Sequence, residues 1–363
     1  MNVLFAVFHP PHPYIVRNVA EILTKKGHKC AFIVHEKENI IEDIIKSFGF
    51  EYFVVTNQSE FNKSKIKFAF SYLLRSYSVF KKFKPDIVFS PTSPVIGFSC
   101  FFYRVPLVSW ADTETAVHNL KISSFFCNYI LTPDCFYEKV NKKKHIAFAG
   151  YKELAYLHPN YFKASEAVLN RLGINNDKKI ILMRFSALKA MHDIGLKSYV
   201  VDFKENILFY ITELEKYANV FISMTEKEIG EEFSKYKLKI HPVDYHHILA
   251  YSSIYIGEGT TTASEAGVLG IPWINIQKTK RGYLIDQEVN YGLGFRTDDI
   301  EMGFKTALEW IKSNDLSSKW LIKRQKLLSN KIDVTAFLVW FIENYPASAK
   351  IMKEDPDYQY NFK

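Results

Sequence analysis

Short apolar runs rich in β-branched and aromatic residues alternate with longer amphipathic stretches through the first half of the chain. Such runs predict strands, because these residue types favour extended backbone. The predicted strands are residues 2–8, 30–35, 52–56, 86–90, 106–110 and 128–132. Helical stretches separate most of them, and this order of elements is typical of a doubly wound, mainly parallel α/β sheet.

The alternation stops after residues 145–150 and later resumes. Residues 151–178 form a polar stretch with Pro159 and the run GINND, which is typical of a linker. Further predicted strands are residues 179–185, 220–224, 252–257, 271–276 and 294–296. We therefore predict two Rossmann-like domains, residues 1–150 and 179–332, joined by the linker, with residues 346–363 as a tail.

The segment GEGTTTASEAGVLGIPWINI, residues 257–276, predicts a strand, a turn, a helix and a second strand. Gly259, Thr260 and Thr261 fall at the helix start, where backbone N–H groups and the positive dipole end can hold a phosphate. Glu265 follows about one turn later, and its carboxylate can accept hydrogen bonds from a ribose diol. The alternative is a structural helix in which Gly and Thr form the cap, and in which the helix dipole favours the acidic Glu265 in the first turn.

Polar residues follow two predicted strands of the first domain, at the carboxyl ends where α/β sheets bind ligands. His12, in the loop HPPHP, is either a general base or phosphate contact, or a cap for the helix that begins near Tyr14. Asp112 and Glu114 follow residues 106–110. Repulsion between two acids can raise one pKa and suit that acid to proton transfer; alternatively, Asp112 or Thr113 caps a helix.

The loop RFSALKAMHD leaves the first predicted strand of the second domain. Arg184, Ser186, Lys189 and His192 offer cationic or hydrogen-bonding groups to a diphosphate, with Asp193 placed to orient His192. The alternative is a solvent-exposed basic loop.

Residues 259–266 (GTTTASEA) and 269–272 (LGIP) resemble the donor-site signature of GT-B nucleotide-sugar enzymes. The similarity extends to the non-hydrolysing UDP-N-acetylglucosamine 2-epimerases and to the UDP-sugar glycosyltransferases of peptidoglycan and capsule synthesis. It implies a GT-B fold, with two Rossmann-like domains facing across a cleft. Over the whole chain, SWADTE, RFSALKAMHDIG and GEGTTTASEAGVLGIP are closest to an uncharacterised prokaryotic family of that clan.

The resemblance also implies roles for individual residues. Gly259, Thr260 and Thr261 would hold the diphosphate and Glu265 the ribose. In HPVDYHH, residues 241–247, the backbone of Val243 would read uracil with Tyr245 packed nearby. Glu114 loosely matches a proton-transferring glutamate of the epimerases, without the flanking His and Gly-Leu-Arg of that motif. A last helix, residues 333–345, would cross back to pack on the first domain.

Net charge +8 favours an anionic partner, such as a nucleotide sugar or an anionic membrane. Nucleic acid is not expected, because no helix-turn-helix, zinc-finger or RRM signature accompanies the charge. The sequence contains a DxD only at residues 355–357, within the predicted tail, and it contains no HExxH or GxSxG, so neither a metal cofactor nor a serine hydrolase is expected.

Membrane contact is predicted only at the surface. The longest apolar runs, such as residues 94–103, fall short of the roughly 20 residues that span a bilayer. Met1 leads straight into the first predicted strand without a basic n-region, so secretion is not expected. Residues 61–84 predict a helix with Ile66, Phe70, Leu73, Tyr77 and Phe80 on one stripe. The stripe is either the core face of a Rossmann helix, or the helix additionally contacts anionic lipid through its basic side.

Taken together, these patterns predict a cytoplasmic, metal-independent glycosyltransferase of polysaccharide or glycan biosynthesis, either free or peripheral at the inner face of the membrane. Its donor would be a nucleotide-diphospho-sugar, with UDP-sugars the expected class, and its acceptor a glycan or a lipid-linked group. Asp112, Glu114 or His12 would deprotonate the acceptor if the reaction inverts. One alternative is a UDP-N-acetylglucosamine 2-epimerase using Glu114 and His192, and another is a non-catalytic nucleotide-sugar-binding protein.

Overall fold

The computed structural model describes residues 1–36, 39–57, 65–174, 177–185, 204–223, 231–278 and 280–363. The chain divides into two compact units. The first comprises Met1–Tyr156 and Lys331–Lys363, and the second comprises Leu157–Asn330. Each unit contains a parallel sheet with flanking helices, which confirms the predicted fold class of two doubly wound α/β sheets.

The sheet of the first unit is built around its first strand. Its strands are β1 (Asn2–Val7), β2 (Lys29–Glu36), β3 (Glu51–Asn57), β4 (Ile87–Pro91), β5 (Leu107–Trp110), β6 (Tyr129–Pro133) and β7 (His145–Phe148). They lie in the order β3-β2-β1-β4-β5-β6-β7, and each ladder is parallel. Residues 3–7 of β1 are completely buried, because helices cover both faces of a doubly wound sheet.

In the sheet of the second unit, three neighbouring strands end at the same edge. Its strands are β8 (Lys179–Arg184), β9 (Ala218–Ile222), β10 (Ile254–Gly257), β11 (Trp273–Ile276) and β12 (Gly294–Thr297). They lie in the order β12-β11-β10-β8-β9, again parallel. Gly257 pairs with Arg184 on one side and Asn275 on the other, so the carboxyl ends of β8, β10 and β11 meet at one edge.

Helices connect the strands in both units. In chain order they are α1 (His12–Lys25), α2 (Asn39–Phe48), α3 (Lys65–Phe83), α4 (Pro94–Tyr103), α5 (Val117–Phe126), α6 (Leu154–Leu157), α7 (Glu166–Arg171), α8 (Lys204–Glu215), α9 (Tyr245–Ala250), α10 (Thr260–Leu269), α11 (Gly282–Val289), α12 (Ile300–Lys312), α13 (Leu316–Asn330), α14 (Val334–Glu343) and α15 (Ala347–Glu354). Short 3-10 helices span Glu114–Ala116, Glu231–Tyr236, Pro242–Asp244 and Pro356–Asn361. Within the described ranges, no helix combines the length and apolar character needed to cross a bilayer.

The C-terminal segment packs on the first unit. The N–H of Ile332 donates to the Ala149 carbonyl at 2.9 Å, and α14 occupies the position of the predicted crossover helix. Residues 346–363, predicted as a tail, form α15 and a 3-10 helix. Met352 and Gln359 are buried there, and the Gln359 side chain accepts a hydrogen bond from the Ala149 N–H at 2.6 Å.

The stretch predicted as a linker begins with core residues. Tyr151, Leu154 and Leu157 are fully buried. Residues up to Tyr156 belong to the first unit, and the following residues belong to the second. The boundary therefore differs from the predicted linker at residues 151–178, because apolar side chains spaced among its polar residues are buried in a core.

Candidate functional site

The second unit carries an accessible helix start at the edge where its strands end. We call residues 257–262, which connect β10 to α10, the Gly-Thr segment. Gly259 precedes the helix with extended backbone, φ −71° and ψ 106°, so α10 begins at Thr260. Gly259, Thr260 and Thr261 are half-buried, whereas residues 262–269 are buried. The accessible part of α10 is therefore its N-terminal end, where backbone N–H groups lack intrahelical partners and the dipole is positive.

Gly257 allows β8 and the Gly-Thr segment to approach each other. A Cβ atom at this position would lie 2.0 Å from the backbone oxygen of Arg184. The same oxygen accepts a hydrogen bond from the Glu258 N–H at 3.1 Å, and Asn275 Nδ2 donates to the Gly257 carbonyl at 3.1 Å. Contacts from both neighbouring strands thus fix the start of α10 beside Arg184.

Side chains of α11 hold α10 in position. The Tyr283 hydroxyl donates to Thr260 Oγ1 at 3.2 Å. Gln287 is fully buried; its Nε2 donates to Ser264 Oγ at 2.9 Å, and its Oε1 accepts from Trp273 Nε1 at 3.0 Å. These bonds join α10 to β11 and α11, which gives the helix start the rigid support that a binding site requires.

Glu265 is buried and hydrogen-bonded to a histidine that the sequence analysis did not select. Only 5% of Glu265 is exposed, and His246 Nε2 lies 3.0 Å from Glu265 Oε1. Since this ring nitrogen faces a carboxylate, it carries a proton and donates. A carboxylate has about four lone-pair sites, and His246 occupies one of them. The sequence signal was weak, because the two residues lie on different helices.

Arg184 supplies positive charge at this edge of the sheet. Its side chain is exposed, and its guanidinium carbon lies 5.3 Å from the centre of the Tyr245 ring, a cation–π distance. Burial raises the pKa of Tyr245 to about 12 and also raises the pKa of Tyr255. Both phenols are therefore neutral at physiological pH, and the Tyr255 hydroxyl donates to the Gly259 carbonyl at 3.3 Å.

Val243 lies in the 3-10 helix Pro242–Asp244 just before Tyr245. Its N–H donates to Nδ1 of His241 at 3.4 Å, a long hydrogen bond that a better acceptor can replace. Arg171, in the stretch predicted as a linker, donates to Asp244 Oδ1 at 2.6 Å. The predicted linker thus helps to position the residues predicted to contact a nucleotide base.

Charged residues gather at the ends of β5 and β7 in the first unit. Asp112 forms an ion pair with Lys152 Nζ, which also lies 3.8 Å from Glu153 Oε1. Glu114 and Glu153 are buried, with 3% and 0% of their surfaces exposed. The predicted repulsion between Asp112 and Glu114 is therefore offset by an ammonium group that comes from a distant part of the sequence.

The alternative role of Asp112 or Thr113 as a helix cap does not match the contacts. Thr113 precedes the 3-10 helix Glu114–Ala116 and Ala116 precedes α5, and neither start carries a side-chain capping hydrogen bond. Thr113 Oγ1 instead donates to Asp112 Oδ1 at 3.3 Å. Asp112 is thus held by Thr113 and Lys152 rather than by a helix start.

His12 is the first residue of α1 and closes the turn after β1. Its Nδ1 accepts a hydrogen bond from the Phe8 N–H at 3.2 Å, and its ring centre lies 5.7 Å from that of Trp110. A neutral imidazole that accepts at Nδ1 carries its proton on Nε2. In this arrangement His12 offers a hydrogen-bond donor at Nε2 rather than a base.

A cavity of ≈ 20 Å³ lies beside this charged cluster within the first unit. Trp110, Asp112 and Lys152 line it together with apolar side chains such as Phe148 and Leu338. The volume suits about one water molecule, so the cavity itself cannot hold a sugar.

The predicted site residues therefore fall into two sets. Arg184, Tyr245, Glu265 and the Gly-Thr segment are brought together in the second unit, and Asp112 and Glu114 follow β5 in the first. Ser186, Lys189 and His192 lie outside the described residues, so their roles stay predictions. Lys152, Glu153 and His246 join these sets without having been selected from the sequence.

Comparison with solved structures identifies the fold. A putative UDP-N-acetylglucosamine 2-epimerase from Listeria monocytogenes is 12% identical over 94% of this chain and 96% of its own, with a TM-score of 0.68. The UDP-GlcNAc 2-epimerase from Neisseria meningitidis bound to UDP-GlcNAc is 15% identical over 91% and 100%, with a TM-score of 0.63. The spinosyn rhamnosyltransferase SpnG is 12% identical over 95% and 100%, with a TM-score of 0.61.

At these identities the similarity shows the fold, which epimerases and glycosyltransferases share. No curated protein matches the chain by sequence. Residues 1–336 match the family described as "Protein of unknown function (DUF354)". The chain therefore belongs to this family of unknown function, and it has the GT-B fold of nucleotide-sugar enzymes.

Proposed function

We propose that this protein is a glycosyltransferase whose donor is a nucleotide-diphospho-sugar, with a UDP-sugar as the expected donor. The observation that carries the proposal is the accessible start of α10, which the close contact at Gly257 sets beside Arg184. The N–H groups of the first turn would bind the diphosphate, and the Arg184 guanidinium would offset its charge.

The rest of the second unit would bind the nucleoside. Glu265 would accept hydrogen bonds from the ribose diol, with His246 holding its carboxylate in one orientation. Val243 would contact the base through its backbone, and the neutral Tyr245 would pack nearby. Two of the similar solved structures contain UDP-GlcNAc or UDP, which supports this choice of ligand.

The first unit would provide the acceptor site. In an inverting transfer, Asp112 or Glu114 takes the proton from the acceptor hydroxyl, the acceptor oxygen bonds to the anomeric carbon, and UDP leaves. Lys152 holds Asp112 in an ion pair, so Asp112 would act as base only if the incoming hydroxyl competes for the same carboxylate. His12 would donate a hydrogen bond rather than accept the proton.

The proposal also specifies the acceptor, the cellular location and the metal requirement of the enzyme. The acceptor would be a glycan or a lipid-linked group, and the enzyme would work in the cytoplasm, at the inner face of the membrane where the acceptor is lipid-linked. No metal would be needed, since helix N–H groups and Arg184 would offset the charge of the leaving diphosphate. Unchanged activity after treatment with EDTA is the expected result.

The 2-epimerase alternative is favoured by one observation, the buried Glu114 in the loop after β5. Such an enzyme breaks the C2–H bond, eliminates UDP and adds it back, so solvent deuterium enters at C2 without an acceptor. The missing flanking His and Gly-Leu-Arg weigh against it. A transferase instead consumes donor only when an acceptor is present.

The test combines binding with turnover. The protein is screened for thermal stabilisation by nucleotide sugars, where a ligand at about 100 times its Kd adds roughly 2.7 kcal/mol. The donor that binds best is then incubated in D₂O with and without acceptor glycans. Acceptor-dependent UDP release supports a transferase, deuterium at C2 identifies an epimerase, and binding without turnover leaves a non-catalytic binding protein.

A further inference from the structure

Three neighbouring helices of the first unit expose large apolar side chains. These residues, which we call the aromatic face, lie on α3, α4 and α5, and each is between 47% and 78% exposed. The aromatic face comprises Phe70, Leu74, Tyr77, Phe101, Phe102, Ile122 and Phe125. Single exposed apolar residues are ordinary, but a set on adjacent helices marks an interaction surface.

Ring contacts show that the aromatic face is continuous. The rings of Tyr77 on α3 and Phe102 on α4 both pack on Tyr103, at 5.9 Å and 5.3 Å between centres. Phe101 packs on Phe126 of α5 at 5.9 Å. The exposed side chains therefore belong to one surface that crosses three helices.

The core does not use these residues. On α3, the predicted stripe divides: Leu73 and Phe80 are buried, whereas Phe70 and Tyr77 point outward and are more than half exposed. The expectation that the whole stripe faces the core was wrong, because α3 also buries apolar residues such as Tyr72 and Val79 on an adjacent side. The side chain of Ile66 lies outside the described residues.

The same helices carry positive charge and no acidic residue. The sequences of α3, α4 and α5 contain no Asp or Glu. Basic residues on or beside the aromatic face are exposed: Lys67, Arg75, Lys81, Arg104 and Lys121. The Lys81 ammonium lies 5.7 Å from the centre of the Tyr77 ring, so charge and aromatic surface are in direct contact.

We propose that the aromatic face docks on an anionic lipid bilayer. The aromatic side chains would enter the headgroup region, and the basic residues would bind lipid phosphates, as in amphipathic helices that lie in a membrane surface. A second copy of this chain is a poorer partner, because a two-fold interface would place this positively charged surface against itself. Binding to lipid does not depend on the proposed transferase activity.

The test measures cosedimentation of the full chain with vesicles. Vesicles of phosphatidylcholine and phosphatidylglycerol in equal amounts are compared with vesicles of phosphatidylcholine alone. Binding should be strong to the anionic vesicles, weak to the neutral ones, and reduced by added salt, since salt screens exposed charges.

Matched variants identify the surface. Phe102→Gln should weaken anionic-vesicle binding by roughly tenfold through lost apolar burial. Its control is Phe209→Gln on α8 of the second unit. Both phenylalanines are 61% exposed, and each ring centre lies 5.3 Å from that of the following tyrosine.

Charge is tested in the same way. Lys81→Gln should weaken binding about fivefold, the usual effect of one basic residue near an anionic surface. Lys312→Gln is the control, because Lys312 also lies in the last turn of a helix and 5.3 Å from a tyrosine ring centre, but in the second unit.

Several outcomes would overturn the proposal. Equal partitioning to neutral and anionic vesicles contradicts the charge argument, and equal losses in the test and control variants contradict the location. Sedimentation velocity without lipid tests the competing occupant: a dimer that Phe102→Gln dissociates would assign the aromatic face to a second copy.

Discussion

Two strand-to-helix turns in this molecule have the same topology and differ in the backbone donors at their helix starts. In the first unit, Pro11 precedes α1 and Pro13 lies in its first turn, and the His12 N–H is used by the His9 carbonyl at 2.9 Å. In the second unit, Gly259 precedes α10, which opens with three threonines. Proline has no N–H, so α1 has fewer backbone donors in its first turn than α10, the turn at which we propose that the diphosphate binds.

The two units also differ in the charged residues at the carboxyl ends of their strands. The strand ends of the first unit hold the carboxylates of Asp112, Glu114 and Glu153, and the Lys152 ammonium contacts Asp112 and Glu153. The corresponding edge of the second unit holds the Arg184 guanidinium, neutral tyrosines, the Glu265 carboxylate bonded to His246, and the buried Glu258. Under the proposed function, this difference would suit the first unit to proton transfer by carboxylates and the second unit to anion binding.

The largest expected effect comes from removing the ammonium of the first unit. Lys152→Ala leaves Asp112 and Glu153 near each other without that charge, which should destabilise the protein by about 3–5 kcal/mol. Urea unfolding measures the change. The double variant Lys152→Ala with Asp112→Asn should be milder than Lys152→Ala alone, since both changes affect one ion pair; additive losses would show that the pair is not coupled.

A smaller loss is expected at the strand contact of the second unit. Gly257→Ala places a methyl group against the Arg184 backbone and should cost about 3 kcal/mol, near the upper end for overpacking. Gly259→Ala is the matched control. Its Cβ would meet the end of the Tyr255 side chain at 3.1 Å, so we expect less than about 1 kcal/mol. Equal unfolding free energies for the two variants would refute the close-approach argument.

The smallest effect is a change of affinity without a change of stability. Thr260→Pro makes the start of α10 resemble that of α1 by removing one N–H at a position where proline is tolerated. UDP affinity should fall about tenfold, near the lower limit for a hydrogen bond to a charged group. Thr260→Ala keeps the N–H and serves as the control. If both variants lose affinity equally by calorimetry, the hydroxyl rather than the N–H matters.

Local patterns were enough to predict the fold and part of the candidate site. The Gly-Thr segment and Glu265 lie within one strand–helix–strand unit, so their proximity follows from spacing alone. Lys152 and Asp112 belong to the ends of two different strands, and His246 and Glu265 to two different helices. Their pairing depends on tertiary packing, which cannot be predicted from the spacing of residues along the sequence. Likewise, α3 is apolar on two sides, so its sequence could not show which side faces the core.

The substitution Glu265→Gln, which tests the proposed ribose contact, needs a control because Glu265 is hydrogen-bonded to the buried His246. Glu265→Gln also weakens the bond from His246, so the folded state is first checked by thermal unfolding. His246→Ala supplies the comparison, because it keeps the carboxylate and removes its orienting donor. If the carboxylate is the ribose contact, His246→Ala should reduce UDP affinity less than Glu265→Gln does.

The most direct test of a nucleotide site at α10 is calorimetric titration of wild type and Glu265→Gln with UDP and 2′-deoxy-UDP. We expect the variant to lose about 1.5–3 kcal/mol of UDP binding, since a charged acceptor becomes an amide. We also expect the penalty for removing the 2′-hydroxyl to shrink in the variant, because both changes delete one interaction. A folded Glu265→Gln protein that binds UDP as wild type does would contradict the assignment and leave α10 a structural helix.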